Sequence, residues 1–202
     1  MFTGIVQDTL PVIDIKNEID YRTHILKFTN NLLSNLSLGD SVAHNGCCLT
    51  VSNIIDHYVE FNIIKETLKL TNLGLIKIND TVNIERAASL NKEIGGHVMS
   101  GHIICTANLI DISYSKHSRR IWFNLQNSDI IKYIFYKGYI GIDGISLTIN
   151  DIKDSKFCVD LIPETIRRTN LSKRKIGEIV NIEIDQQSRT IVDSIERFIK
   201  KN

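Results

Sequence analysis

The sequence predicts an all-β chain of two tandem, homologous six-stranded antiparallel β-barrels, followed by a C-terminal α-helix. Three observations lead there. The second half restates the first at an offset of about 98 residues, each half carries six short strand-like runs broken by turn residues, and beyond Gln186 the apolar period changes from that of a strand to that of a helix.

The repeat is clearest in Asn45-Gly46-Cys47-Cys48-Leu49-Thr50 and Asp143-Gly144-Ile145-Ser146-Leu147-Thr148, which begin 98 residues apart, at 45 and 143. Asn-Gly and Asp-Gly favour type I′ hairpin turns, whose two central residues both need φ > 0. After the turn, alternation puts Cys48 and Thr50 on one sheet face and Cys47, Leu49 and Val51 on the other. In the second copy Ser146 and Thr148 share the first face, with Ile145, Leu147 and Ile149 on the second. The apolar faces are predicted core; the thiol and hydroxyl faces are where chemistry is expected. Lys65-Glu66-Thr67 matches Pro163-Glu164-Thr165, and Val82-Asn83-Ile84-Glu85 matches Val180-Asn181-Ile182-Glu183. Thr3-Gly4-Ile5-Val6 matches Ser100-Gly101-His102-Ile103 one residue out of register. The expected division is a first barrel over 1–97, a second over 98–185 and an oligomerisation helix over 186–202, with Gly95-Gly96-His97 as a flexible crossover.

Within the first unit, strands are expected over 4–15, 22–29, 40–44, 47–54, 58–64 and 81–87, with matching segments in the second. One-turn helices are expected over 32–36, 66–72, 129–136 and 164–170. Short strands joined by hairpins favour a closed barrel over an open sheet with exposed edges. In the tail, Ile191, Ile195, Phe198 and Ile199 form one apolar helical face, which must pack on a barrel or on identical tails of an oligomer.

A hydrophobic share of 43% supports packed cores, and a net charge of +1 offers no concentrated positive face for nucleic acid. Lys173-Arg174-Lys175 reads as a solvated loop. The first residues lack the basic and apolar regions of a signal peptide, and no run of about 18 apolar residues occurs, so a soluble cytoplasmic protein with no membrane partner is expected. The cysteines, at 47, 48, 105 and 158, lack zinc-site pairing and disulfide density. Cys105 and Cys158 are expected as small core residues. His44 and His97 with Cys47 and Cys48 match no ligand spacing, so no metal site is expected.

Chemistry is sought where the copies differ: Cys48 against Ser146, Ile5 against His102, Ser41 against Tyr139, and Ala87 against Asp185. Such asymmetry suits two substrates with unequal roles, while Thr50 with Thr148 and Thr67 with Thr165 suit a shared binding task. Each residue also has a plain structural use. Cys48 can be a small hydrophobe, His102 a core histidine, and Asp185 the carboxylate that opens the tail helix.

Met1-Phe2-Thr3-Gly4-Ile5-Val6, Asn45 to Val51, Gly95 to His102, Lys137-Gly138 leading into Asp143 to Thr148, and Ile162-Pro163-Glu164-Thr165 together resemble the signatures of the riboflavin synthase family. The likeness is to the α-type, built from two lumazine-binding repeats, and runs from Met1 through the tail. One departure is Ile103-Ile104-Cys105, where many members continue Val-Asp-Gly. The resemblance implies dismutation of two molecules of 6,7-dimethyl-8-ribityllumazine. One gives a four-carbon unit to the other, yielding riboflavin and 5-amino-6-ribitylaminouracil, the last step of riboflavin biosynthesis. No metal or redox cofactor is implied, because one substrate molecule oxidises the other. A homotrimer is implied, with each active site between the first barrel of one subunit and the second barrel of its neighbour.

The resemblance further implies catalytic roles for Cys48, His102, Ser146, Thr148 and Asp185. His102 would handle protons at the acidic C7 methyl group, Cys48 or Ser146 would supply a nucleophile or place a water, and Asp185 would polarise its neighbour. Substrate binding is implied for Gly4, Ile5 and Val6, for Ser41, Cys48, Leu49, Thr50, Asn62, Ile64 and Thr67, and for Gly101, His102 and Ile103. It is implied again for Lys137, Ser146, Leu147, Thr148, Ile162, Thr165 and Arg167. The competing reading is a non-catalytic lumazine- or flavin-binding protein on the same double barrel.

Overall fold

A computed structural model describes residues 1–89, 93–116 and 118–201. The first six strands are β1 (Asp8–Asn17), β2 (Tyr21–Lys27), β3 (Ser41–His44), β4 (Cys47–Ile55), β5 (Tyr58–Ile64) and β6 (Thr81–Arg86), closed in the order β1-β2-β5-β4-β3-β6. The second six are β7 (Cys105–Tyr114), β8 (Arg119–Leu125), β9 (Tyr139–Ile142), β10 (Ile145–Lys153), β11 (Lys156–Leu161) and β12 (Ile179–Ile184). They close in the same order, β7 replacing β1 and so on. All neighbours are antiparallel, and each barrel carries a register shift in its first and fourth strands, at Val12/Asp14, Val51/Asn53, Leu109/Asp111 and Ile149/Asp151. Such bulges add the twist that closing a small barrel requires.

Short helices α1 (Asn30–Leu33), α2 (Lys65–Leu70) and α3 (Pro163–Arg168) lie near their expected places, and the fourth segment is a 3-10 turn over Ser128–Tyr133. Both hairpin turns have the anticipated geometry, with φ of 44° and 78° at Asn45 and Gly46 and 45° and 80° at Asp143 and Gly144. Burial alternates as the pattern predicts: Leu49, Val51, Ile145, Leu147 and Ile149 are buried, and Thr50 and Thr148 are exposed. Cys105 and Cys158 are buried in the second barrel.

The first strand begins at Asp8 rather than near residue 4. Gly4, at φ +73°, turns the preceding residues out of the sheet, and Thr3 to Val6 cross to the other barrel. Val6 packs in the second barrel's core, while Ile103 packs in the first barrel's. The strands thus divide between the repeats, but the segment leading into each first strand is exchanged. Midway, Phe2 and Met99, themselves counterparts, pair through reciprocal backbone hydrogen bonds of 2.8 and 3.0 Å.

The seam between the barrels is a buried set of side-chain amides related by the repeat. Asn72 N–H donates to Asn181 Oδ1 (2.7 Å) and Asn170 N–H to Asn83 Oδ1 (2.8 Å). Asn72 Nδ2 donates to Asp143 Oδ1 (2.8 Å), and Asn170 Nδ2 to Asn45 Oδ1 (3.0 Å). Symmetry breaks at Asp143, which faces Arg174 Nη2 at 2.8 Å where the first copy has Asn45 and the buried Ile76.

The tail forms α4 (Gln186–Ile199), opened by Asp185, whose carboxylate accepts from Ser188 N–H (2.9 Å) and hydroxyl (2.8 Å). One side of α4 docks on the Ser128–Tyr133 turn, where the Tyr133 hydroxyl donates to Asp193 (2.5 Å) and Lys132 pairs with Glu196 (2.7 Å). Ile191, Ile195 and Ile199 face outward, more than half exposed. No helix among the described residues is long and apolar enough to cross a membrane.

Candidate active site: two unequal half-sites

Exchange of the leading segments gives each barrel a cleft lined by both repeats. In the first, Cys48 N–H, on β4, donates to the Gly101 carbonyl (2.8 Å), which sets His102 beside Cys48. Gly101 sits at φ +80°, and a Cβ there would lie 2.6 Å from Cys48 Cβ, so only glycine permits this approach. The resulting cavity, about 200 Å³, is lined by Cys47, Cys48, Thr67, Gly101, His102 and Ile103, together with α2 residues and Thr71. Of the candidates here, Cys48 is half-buried, and His102, Thr50, Asn62 and Ile64 are exposed toward solvent. Leu49 and Ile103 point their side chains into the core, leaving only their backbone groups to face a ligand. Asn62 Oδ1 accepts from the Thr23 hydroxyl (2.9 Å), and Ile64 opens α2 as its N-cap residue.

In the second cleft, Ser146 N–H, on β10, donates to the Gly4 carbonyl (2.9 Å), the counterpart contact. A Cβ at Gly4 would fall 2.5 Å from Ser146 Cβ. Ile5 is exposed and Val6 is buried. Leu147, like Leu49, points inward. Thr148 is exposed beside Ser146, and Thr165 and Ile162 lie at the start of α3, with Ile162 its N-cap residue. Arg167 is held by Glu164 on the same helix. A larger cavity, about 580 Å³, shares Ile5 and Val6 with this cleft and is also lined by Arg86, Ala87 and Arg168.

The two clefts differ in more than Cys48 against Ser146. His97 Nδ1 lies 2.7 Å from Ser146 Oγ, and its ring stacks on Tyr139 at 5.1 Å with 13° between planes. Burial lowers the His97 pKa, and the nearby Asp185 carboxylate opposes that shift. Burial thus favours the neutral ring, whose Nδ1 shares a hydrogen bond with the Ser146 hydroxyl; the tautomer protonated on Nε2 is the one in which Nδ1 accepts. Asp185 does open the tail helix, and it also acts electrostatically on this histidine.

Motif reading weighed His97 only as a crossover residue or metal ligand and missed its link to Ser146. The exposed signal was its place beside Gly95-Gly96, where Gly96 has no room for a Cβ: one would fall 2.6 Å from Ser146 Cβ. His44, by contrast, lies in the first barrel's core against the Phe61 ring, remote in role from Cys48. Cys47 is not a candidate nucleophile, because burial pushes its thiol up to about 12, with Cys48 and Glu183 adding to the shift.

Lys137, exposed at the rim of the second barrel, adopts φ +62°, while its counterpart in the first repeat is Gly39, at φ +89°. A lysine in the left-handed region is strained, and strain of this kind marks positions held for a purpose. Its Nζ donates to Asn150 Oδ1 (3.1 Å).

The lumazine binding domain family matches the chain twice, over residues 3–87 and 100–185. The chain is 53% identical over 199 residues to riboflavin synthase of Escherichia coli (strain K12), covering 98% of this chain and 93% of that protein. It is 35% identical over 199 residues to riboflavin synthase of Schizosaccharomyces pombe, covering 98% and 96%. Among solved structures, LumP complexed with 6,7-dimethyl-8-(1′-D-ribityl) lumazine superposes with a TM-score of 0.83 at 26% identity, over 92% of this chain and all of that one. LumP complexed with flavin mononucleotide gives 0.82 at 26% identity, with the same coverage. Two matched lumazine-binding repeats, full-length identity to bacterial and yeast enzymes, and a double barrel with paired clefts place the chain in the riboflavin synthase family.

Proposed function

We propose that the two clefts hold the donor and the acceptor of one dismutation. The reaction is that of the family: two molecules of 6,7-dimethyl-8-ribityllumazine exchange a four-carbon unit to give riboflavin and 5-amino-6-ribitylaminouracil. The observation that carries the division of labour is the unequal equipment of equivalent positions. One cleft carries Cys48 with His102, the other Ser146 hydrogen-bonded to His97, with Asp185 acting on that histidine. Stacking two rings from such clefts makes a bimolecular step effectively unimolecular. His102, exposed at its cleft, suits proton transfer at a C7 methyl group. Ser146, with a neutral imidazole as acceptor for its proton, suits delivery of an oxygen nucleophile or a water to the other ring. Thr50, Thr67, Thr148, Thr165 and Lys137 suit hydrogen bonding to the pyrimidinedione edges and ribityl hydroxyls. Backbone groups of Gly4, Ile5, Leu49, Asn62, Ile64, Leu147 and Ile162 can serve the same ends.

The clefts of one chain are related by the repeat, and the resemblance to the family implies that the two clefts that stack a pair of rings come from neighbouring chains. The outward stripe of Ile191, Ile195 and Ile199 on α4 supports association through the tails, and a homotrimer is our reading. A cytoplasmic location fits the four free cysteines.

The test is to incubate the purified protein with the lumazine alone and follow riboflavin fluorescence. Product without an added partner or cofactor is expected; its absence would overturn the enzymatic reading in favour of a lumazine or flavin carrier. Truncation after Asp185 is expected to give monomers that bind riboflavin but turn over poorly, and a fully active monomer would refute a site shared between chains.

A further inference from the structure

The carboxylates of Glu85, on β6, and Glu183, on β12, are buried at equivalent places in the two barrels, 4% and 1% exposed. Neither forms a salt bridge among the described residues. Glu85 Oε1 accepts from Thr3 N–H (2.7 Å) and hydroxyl (2.8 Å), and Oε2 accepts from Gly4 N–H (3.0 Å). Glu183 repeats the pattern with Ser100 N–H (2.6 Å), Ser100 hydroxyl (2.8 Å) and Gly101 N–H (3.0 Å). An unpaired buried carboxylate is costly unless several donors converge on it, and here each satisfies three.

The segment each carboxylate grips is the one that crosses. Thr3-Gly4, held by the first barrel's Glu85, carries the carbonyl that receives Ser146 N–H in the second cleft. Ser100-Gly101, held by the second barrel's Glu183, carries the carbonyl that receives Cys48 N–H in the first cleft, and His102 follows directly. Glu183 is also felt there electrostatically, since it helps raise the pKa of the Cys47 thiol, while His102 draws the Glu183 carboxyl's own pKa down against the effect of burial.

We propose that Glu85 and Glu183 are cross-barrel positioning residues: Glu183 of the second barrel sets the Cys48–His102 cleft, and Glu85 of the first barrel sets the Ser146–His97 cleft. The assignment rests on the half-site reading above. Three charge-assisted hydrogen bonds fix a loop far more tightly than two backbone contacts alone, so the carboxylates set the height of Gly4 and Gly101 over the hairpins. Replacing a carboxylate by an amide turns one acceptor into a donor facing an N–H, which releases the grip with almost no change of shape.

The test uses the full chain with Glu183→Gln and Glu85→Gln, read by amide hydrogen exchange at Cys48 and Ser146, riboflavin titration, and kcat and KM with the lumazine. Glu183→Gln is expected to speed Cys48 exchange by roughly tenfold or more and leave Ser146 unchanged, and Glu85→Gln to do the reverse, as loss of one charged hydrogen bond requires. Both variants should lower kcat by about tenfold. Where a glutamine variant fails to fold, Ser100→Ala or Thr3→Val removes one of the three bonds, and a smaller shift with the same crossed pattern is expected. Faster exchange in the variant's own barrel, or equally at Cys48 and Ser146, would overturn the positioning role. The crossed exchange pattern with unchanged turnover and riboflavin affinity would leave the grip standing and overturn the half-site reading instead.

Discussion

His97 Nδ1 and Ser146 Oγ are 2.7 Å apart, and the position equivalent to Ser146 in the first repeat is Cys48, set beside His102 instead. A hydroxyl needs a neighbouring base to act as a nucleophile, whereas a thiol needs one less. His97→Gln is therefore expected to lower kcat by about 10²-fold. Ser146→Ala should cost a similar factor, and the double variant little more than either, since the two act as one unit. Cys48→Ser should impair turnover to a different degree from Ser146→Ala. Steady-state kinetics on the four variants decides the matter, and additive losses would break the proposed unit. Because burial keeps His97 neutral to lower pH than a free imidazole, a rate that depends on it should fall on acidification with a midpoint lower than that of a free imidazole.

Lys137 occupies a left-handed backbone position that the first repeat gives to Gly39. Lys137→Gly relieves strain of about 1 kcal/mol, partly offset by the entropy glycine adds to the unfolded chain. Denaturant midpoints should therefore stay level or rise, while kcat/KM falls by roughly tenfold if the ammonium binds substrate. Lost stability, or full activity, would show that the lysine serves the fold alone.

Asp143 and Arg174 stand where the first repeat has Asn45 and Ile76, and the exchange leaves the buried Asn170 Oδ1 and Arg174 Nε without hydrogen-bond partners among the described residues. Arg174→Ile strands a buried carboxylate and should cost about 3–5 kcal/mol. The double variant Asp143→Asn/Arg174→Ile copies the other repeat and supplies the amide donor that Asn170 Oδ1 lacks. It should return to within about 1 kcal/mol of the parent in urea unfolding. A double variant as unstable as the single would mean the seam tolerates only one arrangement.

His24 and His44 are fully buried in the first barrel, and neither ring nitrogen of either has a hydrogen-bond partner among the described residues. Burial is the main cause of depression to about 4 for His24, with Arg22 contributing, and to about 3 for His44, with His24 contributing. Both are uncharged in the folded state above those values, while the unfolded chain protonates near 6.5. Their contribution is thus intact above pH 6.5 and is lost as pH falls toward 4, by about 3 kcal/mol each at pH 4. The equivalent position to His44 is Ile142. His24 pairs with Phe61 as Ile121 pairs with Val159, so Ile121 is its counterpart. Replacing both histidines by isoleucine should flatten stability between pH 6.5 and 4, measured by denaturant titration. An unchanged pH slope would show that other groups set acid lability.

What could be read from the sequence was local or periodic. The hairpin turns announce themselves through Asn-Gly and Asp-Gly, the inward faces through alternation, and the tail through its helical stripe. The offset also named the positions that differ, Cys48 against Ser146 and Ala87 against Asp185. Which barrel receives Thr3 to Val6 and which receives Ser100 to Ile103 was not legible, because equivalence in a repeat is silent about exchange in space. Val6 and Ile103 look alike as letters; only packing shows that each serves the opposite core. His97 lay in a glycine-rich stretch that reads as a loop, and Glu85 and Glu183 read as matching strand residues with no task. Lys137 carried no turn signal, since lysine is not a residue that announces a positive φ.

The exchanged segments also govern the order in which the protein can be completed. Thr3 to Val6 precede both barrels in chain order, yet the backbone that receives Gly4 belongs to Ser146, far along the chain. A stretch made before the first barrel must wait for the β10 hairpin of the second before it can dock, and contacts of such long range form late and slowly. Each barrel can close its strands while its cleft is still unfinished, so competence to bind ligand is acquired at the last stage of folding.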